Sequence, residues 1–209
     1  MKRAAASTRS AWHWDTTSEV RVRGEFWRRA GLGRAALLAG LMAATGASSW
    51  GQTSREEALA QVFPGADFQA DTLFLTERQQ TEAARMAGVP VPSRLIARYV
   101  ARRNGAIVGR AYIDTHVVRT KNESLLVCLG PDGSVRRVEV TAFLEPPEYM
   151  GSELWYGQYE GGVLEDDLDL GRAIRPIAGA TLTSRATAAA VRRVLAIDAV
   201  LGDRSGEAP

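Results

Sequence analysis

Ile177 to Thr187 reads IAGATLTSRAT, a Gly-Ala turn followed by hydroxyl residues at the start of a helical rhythm. The first turn of a helix has N–H groups without intrahelical partners and a partial positive charge. An anion such as a phosphate is stabilised there. Gly179 lets the backbone approach a ligand closely. Thr181 presents a hydroxyl at the same spot, and Thr183 or Ser184 is placed to cap the helix. A plain structural reading stays open at this point, in which Thr183 or Ser184 is a cap and nothing more.

Other reactive residue types are few. His116, in Asp114-Thr115-His116, is the one histidine beyond the N-terminal region, where His13 lies. A lone histidine builds neither a zinc site nor a Ser/His/Asp arrangement. It is expected to hydrogen-bond within a sheet or to touch a ligand. Cys128 sits in the apolar run LLVCL and reads as a buried, inert thiol. The cluster Asp166, Asp167 and Asp169 reads as a solvated loop before it reads as a cation site. Arg102-Arg103 and Arg192-Arg193 are too few and too scattered for a nucleic-acid surface.

Gly179-Ala180-Thr181-Leu182-Thr183-Ser184 resembles the flavinylation motif of FMN-binding domains. These include the flavin-carrying subunits of the Na+-pumping NADH:quinone reductase and of the Rnf electron-transport complex. The resemblance runs over about Ile96 to Leu201 and is strongest in its last third. It implies FMN as cofactor, joined through its phosphate to the hydroxyl of Thr181 by a flavin transferase. It implies a small α+β domain outside the cytoplasmic membrane that exchanges electrons with membrane or periplasmic redox partners. Glu145-Pro146-Pro147-Glu148-Tyr149 resembles the family's Glu-Thr-Pro-Gly type loop near the isoalloxazine ring, with Glu145 and Pro147 matching. Tyr149, Trp155 and Tyr156 are aromatics that stack on a flavin or belong to the core. Two positions depart from the family pattern. Ala178 stands where Ser or Thr is frequent, and Arg175 where an acid is common. An arginine near a phosphate offers bidentate hydrogen bonds, although Arg175 can equally pair with the acidic connector before it. The implied function is an exported electron carrier. A small flavin-dependent reductase, or a non-redox module holding FMN noncovalently or not at all, are the alternatives.

The elements that must position these residues are legible in turns and periodicity. Ser54–Phe63 starts with Ser followed by Glu56 and Glu57, and Pro64-Gly65 stops it, so a short capped helix is expected. Ala66–Leu75 reads as a strand and Thr76–Met86 as a polar helix ended by Gly88 and Pro90. Leu95–Arg102 and Ile107–Asp114 flank Asn104-Gly105, a strong hairpin signal because both residues tolerate positive φ. Leu125–Leu129 and Val135–Phe143 flank Gly130-Pro131-Asp132-Gly133 and predict a second hairpin. Glu145–Gly151 reads as a turn, Ser152–Tyr159 as a short helix and Glu165–Leu170 as an acidic connector. Thr183–Leu201 carries Ala186, Ala190, Val191, Val194, Leu195 and Ile197 at helical spacing, and Gly202 ends it. Hairpins with helices at the ends predict an α+β fold: a small antiparallel sheet, flanking helices and a C-terminal helix after the motif.

Charge divides the chain. The first 50 residues carry eight Lys or Arg against three Asp or Glu, a balance of +5, and the remainder carries −3. The apolar run Ala35–Ala47 follows Arg28, Arg29 and Arg34, and Ser48, Ser49 and Gly51 come next. Basic region, short apolar region and small residues make a secretory signal, with cleavage after Ser49 or Gly51. An uncleaved anchor is the variant of that reading. The expected division is a leader over 1–51, a helical and strand region over 52–94, an FMN-binding core over 95–202 and a tail over 203–209. One cysteine in 209 residues excludes a disulfide scaffold and multi-cysteine metal centres. A hydrophobic fraction of 45% with a net charge of +2 excludes a disordered chain.

Overall fold

The computed structural model describes residues 54–165 and 167–202. The leader, the tail and Asp166 lie outside the described residues. The chain forms α1 (Arg55–Val62), β1 (Asp67–Phe74), α2 (Glu77–Ala87), β2 (Leu95–Arg103), β3 (Ala106–Val117), β4 (Asn122–Leu129) and β5 (Val135–Phe143). A 3-10 turn (Pro147–Tyr149), α3 (Glu153–Tyr156), a second 3-10 turn (Gly157–Tyr159) and α4 (Thr181–Leu201) follow. The fold is α+β, with a five-stranded sheet in the order β1-β2-β3-β4-β5 and every neighbouring pair antiparallel.

Local chemistry sets the boundaries. In α1, Ser54 Oγ accepts from the Glu57 N–H while Glu57 Oε2 accepts from the Ser54 N–H. Thr76 and Gln79 repeat this reciprocal cap on α2, which ends at Gly88 in the left-handed conformation. Such caps satisfy helix donors that would otherwise lack partners. Asn104 and Gly105 both have positive φ, 52° and 81°, and join β2 to β3 as a two-residue turn. Asp132 Oδ1 accepts from the N–H and the hydroxyl of Ser134 and shapes the turn before β5.

Alternation along the strands loads both faces of the sheet. Ala101, Ala111, Leu126 and Cys128 meet Ala58, Leu59 and Phe63 of the α1 region. Tyr112, Leu125, Val127, Leu129 and Val138 point to the other face and pack with Ala83 and Ala87 of α2 and Val191, Val194 and Leu195 of α4. Leu168 and Ile174 also enter that core, so the connector contributes anchors as well as acids. A pair of charges is buried here: Arg110 donates to both carboxylate oxygens of Asp198, and Tyr112 donates to the same group.

Two expectations need correcting. Strands β3 and β4 run past the sequence-based ends at Asp114 and Leu125, pairing Thr115 with Ser124, His116 with Glu123 and Val117 with Asn122. A third hairpin therefore closes over Val118 to Lys121, with the Val118 N–H donating to the Lys121 carbonyl at 3.0 Å. Its His116–Glu123 rung is polar because it serves a buried ionic network, and Thr115 pairs with Ser124 through their hydroxyls, which hides the strand from a search for apolar alternation. The final helix starts at Thr181, with Ala180 as its N-cap and no side-chain cap. Thr183 and Ser184 lie inside it, so neither is the cap.

Candidate functional site

The chain approaches α4 through a tight turn. Ser184 Oγ accepts from the Ile177 N–H at 2.8 Å and donates to the Ala180 carbonyl at 3.1 Å. Ser184 is fully buried and its hydroxyl serves the backbone of the turn. Gly179 adopts φ +79°, with nothing within 4 Å of where a Cβ would stand. Its need is thus conformational, since L side chains avoid this region. The Ala180 N–H closes the turn on the Ile177 carbonyl, and the first hydrogen-bonded donor of the helix is Ser184 N–H to Ala180. With no cap, the N–H groups of Thr181, Leu182 and Thr183 keep the free donors of a helix start.

Residues 179–183 line a cavity of about 270 Å³ together with Val118, Arg119, Glu145 and Tyr149. Three separate segments meet there: the β3–β4 turn, the loop after β5 and the start of α4. Glu145 ties the first two. Its Oε1 accepts from the N–H groups of Thr120 and Lys121, each at 2.7 Å, and from that of Arg119 at 3.3 Å. The amides of Thr120 and then Lys121 hold its carboxyl below the usual carboxylate range. A carboxylate that accepts several backbone N–H groups stays ionised and orders the turn that supplies them.

The predicted residues separate in space. Gly179, Ala180, Thr181, Leu182, Thr183 and Glu145 line this one cavity. Thr181 is exposed, while Thr183 is 1% exposed and forms part of the floor. Pro147 lines a second, open groove of about 1150 Å³ that runs between β5 and α3 and shares Glu145 with the first. Arg175 lines neither cavity. Its N–H donates to Gln158 Oε1 at 3.0 Å and its carbonyl accepts from Trp155 Nε1 at 2.6 Å. The cation that lines the small cavity is Arg119, which nothing in the sequence distinguished from other arginines.

The aromatics take different parts. Trp155 is buried edge-on against Tyr156 at 5.0 Å and Tyr159 at 5.7 Å. It is a core residue. Tyr156 lines the large groove while its hydroxyl donates to buried Glu123 at 3.1 Å. Tyr149, 37% exposed, lines the small cavity and is the aromatic available there. Met150 and Leu154, which line the large groove, and Leu182, which lines the small cavity, are also exposed. Cys128 is buried and free, and burial pushes its thiol up to about 12. Among the described residues no group of three or more His, Cys, Asp or Glu could hold a metal, and no helix is long and apolar enough to cross a membrane.

Comparison of the chain with protein-family models, with curated proteins and with solved structures finds no match in any of the three.

Proposed function

We propose that this chain is an exported FMN-binding electron-transfer protein whose flavin is joined through its phosphate to Thr181 by a flavin transferase. The observation that carries the reading is the meeting of two motifs distant in sequence. Glu145 and the Gly179–Thr183 string line the same cavity. The fit of a phosphate rests on the donor set, three free N–H groups at a helix start beside Arg119. The exposed Thr181 hydroxyl is within reach of a modifying enzyme. About 270 Å³ lies just below the usual span of small-molecule pockets, so the cavity suits the phosphate end of the cofactor.

Flavin supplies the redox chemistry when bound, and the protein supplies position and polarity. Thr181, Leu182 and Thr183 bind the phosphate by their N–H groups. Gly179 shapes the turn, Glu145 orders the opposing wall, and Tyr149 gives an aromatic surface. The exposed apolar residues Met150 and Leu182 leave the site open to a redox partner. The groove of about 1150 Å³ beside Glu145 favours a second reading, a reductase with room for a small substrate.

Coexpression with a flavin transferase in an exporting host tests the proposal. A fluorescent band under ultraviolet light after denaturing electrophoresis is expected, and Thr181→Ala should abolish it. A dark wild-type band, beside a control substrate that is labelled, refutes covalent attachment. Absorbance of the native protein then separates noncovalent flavin from none.

A further inference from the structure

His116 lies on β3 directly opposite Glu123 of β4, one rung before the last pair of the hairpin. Its Nδ1 is 2.9 Å from Asp114 Oδ1 and its Nε2 is 3.0 Å from Glu123 Oε2. Ionised carboxylates only accept hydrogen bonds, so an imidazole with both nitrogens on carboxylates carries both protons. The surroundings agree. Arg193 of α4 holds Asp114 with two hydrogen bonds, of 2.7 and 2.8 Å. Among the described residues, fully buried Glu123 has only neutral partners besides His116, the hydroxyls of Tyr156 from α3 and Thr187 from α4. His116 is therefore the cation that faces Glu123. Asp114 and Glu123 are the charged groups facing His116, with Arg193 on the far side of Asp114.

This network sits at the base of the turn whose tip builds the site. Val118 and Arg119, two and three residues beyond His116, line the small cavity, and the amides of residues 119–121 bind Glu145. The same network grips α4 through Arg193 and Thr187. Thr187 is one helical turn past Thr183 on the same helix face, and Thr183 lines that cavity.

We propose that His116, as the imidazolium, is a positioning residue: it clamps the base of the β3–β4 turn to α4, so that the turn and the helix start face each other across the small cavity. Loss of its proton to alkaline solvent leaves buried Glu123 without the cation that faces it, an unfavourable state unless the structure moves. The turn then loosens from α4 and the Glu145 contacts lengthen. Burial works against the charge on His116, but the hydrogen bonds it donates to Asp114 and then Glu123 outweigh it and raise its pKa to about 9. The functional meaning rests on the proposed cofactor reading of the cavity, but the test needs no flavin.

Carbon-detected NMR of the full chain between pH 6 and 11 follows the His116 ring, the Glu145 carboxyl and the carbonyls of residues 119–121. The His116 signal is identified by its loss in His116→Gln. We expect His116 to titrate near pH 9, with Glu145 and the turn moving at the same midpoint. The Asp71 carboxyl, paired with Arg98 at 3.1 Å on the β1–β2 side, should stay still. In His116→Gln the Glu145 step should vanish, leaving the shift of the alkaline wild type. Titration of His116 near its ordinary 6.5 overturns the proposal. So does a flat response of Glu145 and the turn through the His116 titration, or movement of Asp71 in step with them. If the variant does not fold, His116 is assigned by through-bond correlation and the wild-type titration decides alone.

Discussion

At the scale of single residues, the small cavity shows how little of a side chain's role its type discloses. Thr181, Thr183 and Ser184 are three hydroxyl residues within four positions, yet their environments differ. The first is exposed, the second forms the floor of the cavity and the third binds the turn behind it. Gly179→Ala should cost about 1 kcal/mol from its left-handed backbone alone, read as a lowered urea midpoint, since no atom stands where the methyl group would go. Tyr159 offers the opposite case. Its hydroxyl is buried with no hydrogen-bond partner among the described residues. Tyr159→Phe removes a polar group whose desolvation nothing offsets, so stability should stay level or rise by about 1 kcal/mol. A clear loss in chemical denaturation would show that the hydroxyl has a partner after all.

At the scale of elements, α4 is joined to the sheet by charge at two places along its length. Toward its C-terminal end, Asp198 meets Arg110 and Tyr112, and all three are buried. Asp198→Ala removes the carboxylate that accepts from both Arg110 and the buried Tyr112 hydroxyl and should cost about 1–3 kcal/mol. Replacing Arg110 by Met and Asp198 by Leu together should cost much less. Thermal or urea melts of the single and double variants check both statements. Nearer its middle, α4 meets the Asp114–His116–Glu123 chain through Thr187 and Arg193. Because the His116 pKa is raised when folded, its contribution to stability is complete below about 6.5. That contribution is lost as pH rises through about 9. Urea midpoints should therefore fall between pH 7 and 10 in the wild type and fall less in His116→Gln. Helices α1 and α2, the Asn104-Gly105 turn and the β4–β5 turn were legible in the sequence because caps and turn residues act locally. The ends of β3 and β4 were not, since the signal there is a set of polar residues whose partners lie on other elements.

At the scale of the whole molecule, the sheet is a meander whose two faces are covered by different helices, α1 on one and α2 with α4 on the other. The basic, apolar and small-residue segments of the first 51 residues lead to a prediction at this scale. Protein recovered from an exporting host should begin at Trp50 or Gln52 by intact mass; full-length mass in the exported fraction would favour an uncleaved anchor. The sequence by itself determined the α+β class, the Asn104-Gly105 and β4–β5 hairpins and the glycine-dependent turn before α4. Each of these follows from short-range rules: backbone freedom at glycine, reciprocal caps and apolar periodicity. Only the tertiary structure decided that Glu145 orders the turn opposite the Gly179–Thr183 string, that Arg119 and not Arg175 lines the cavity, and that His116 bridges two buried carboxylates. Those facts depend on strand register and on the packing of α4 against the sheet. Contacts between residues tens of positions apart leave no local pattern in the chain.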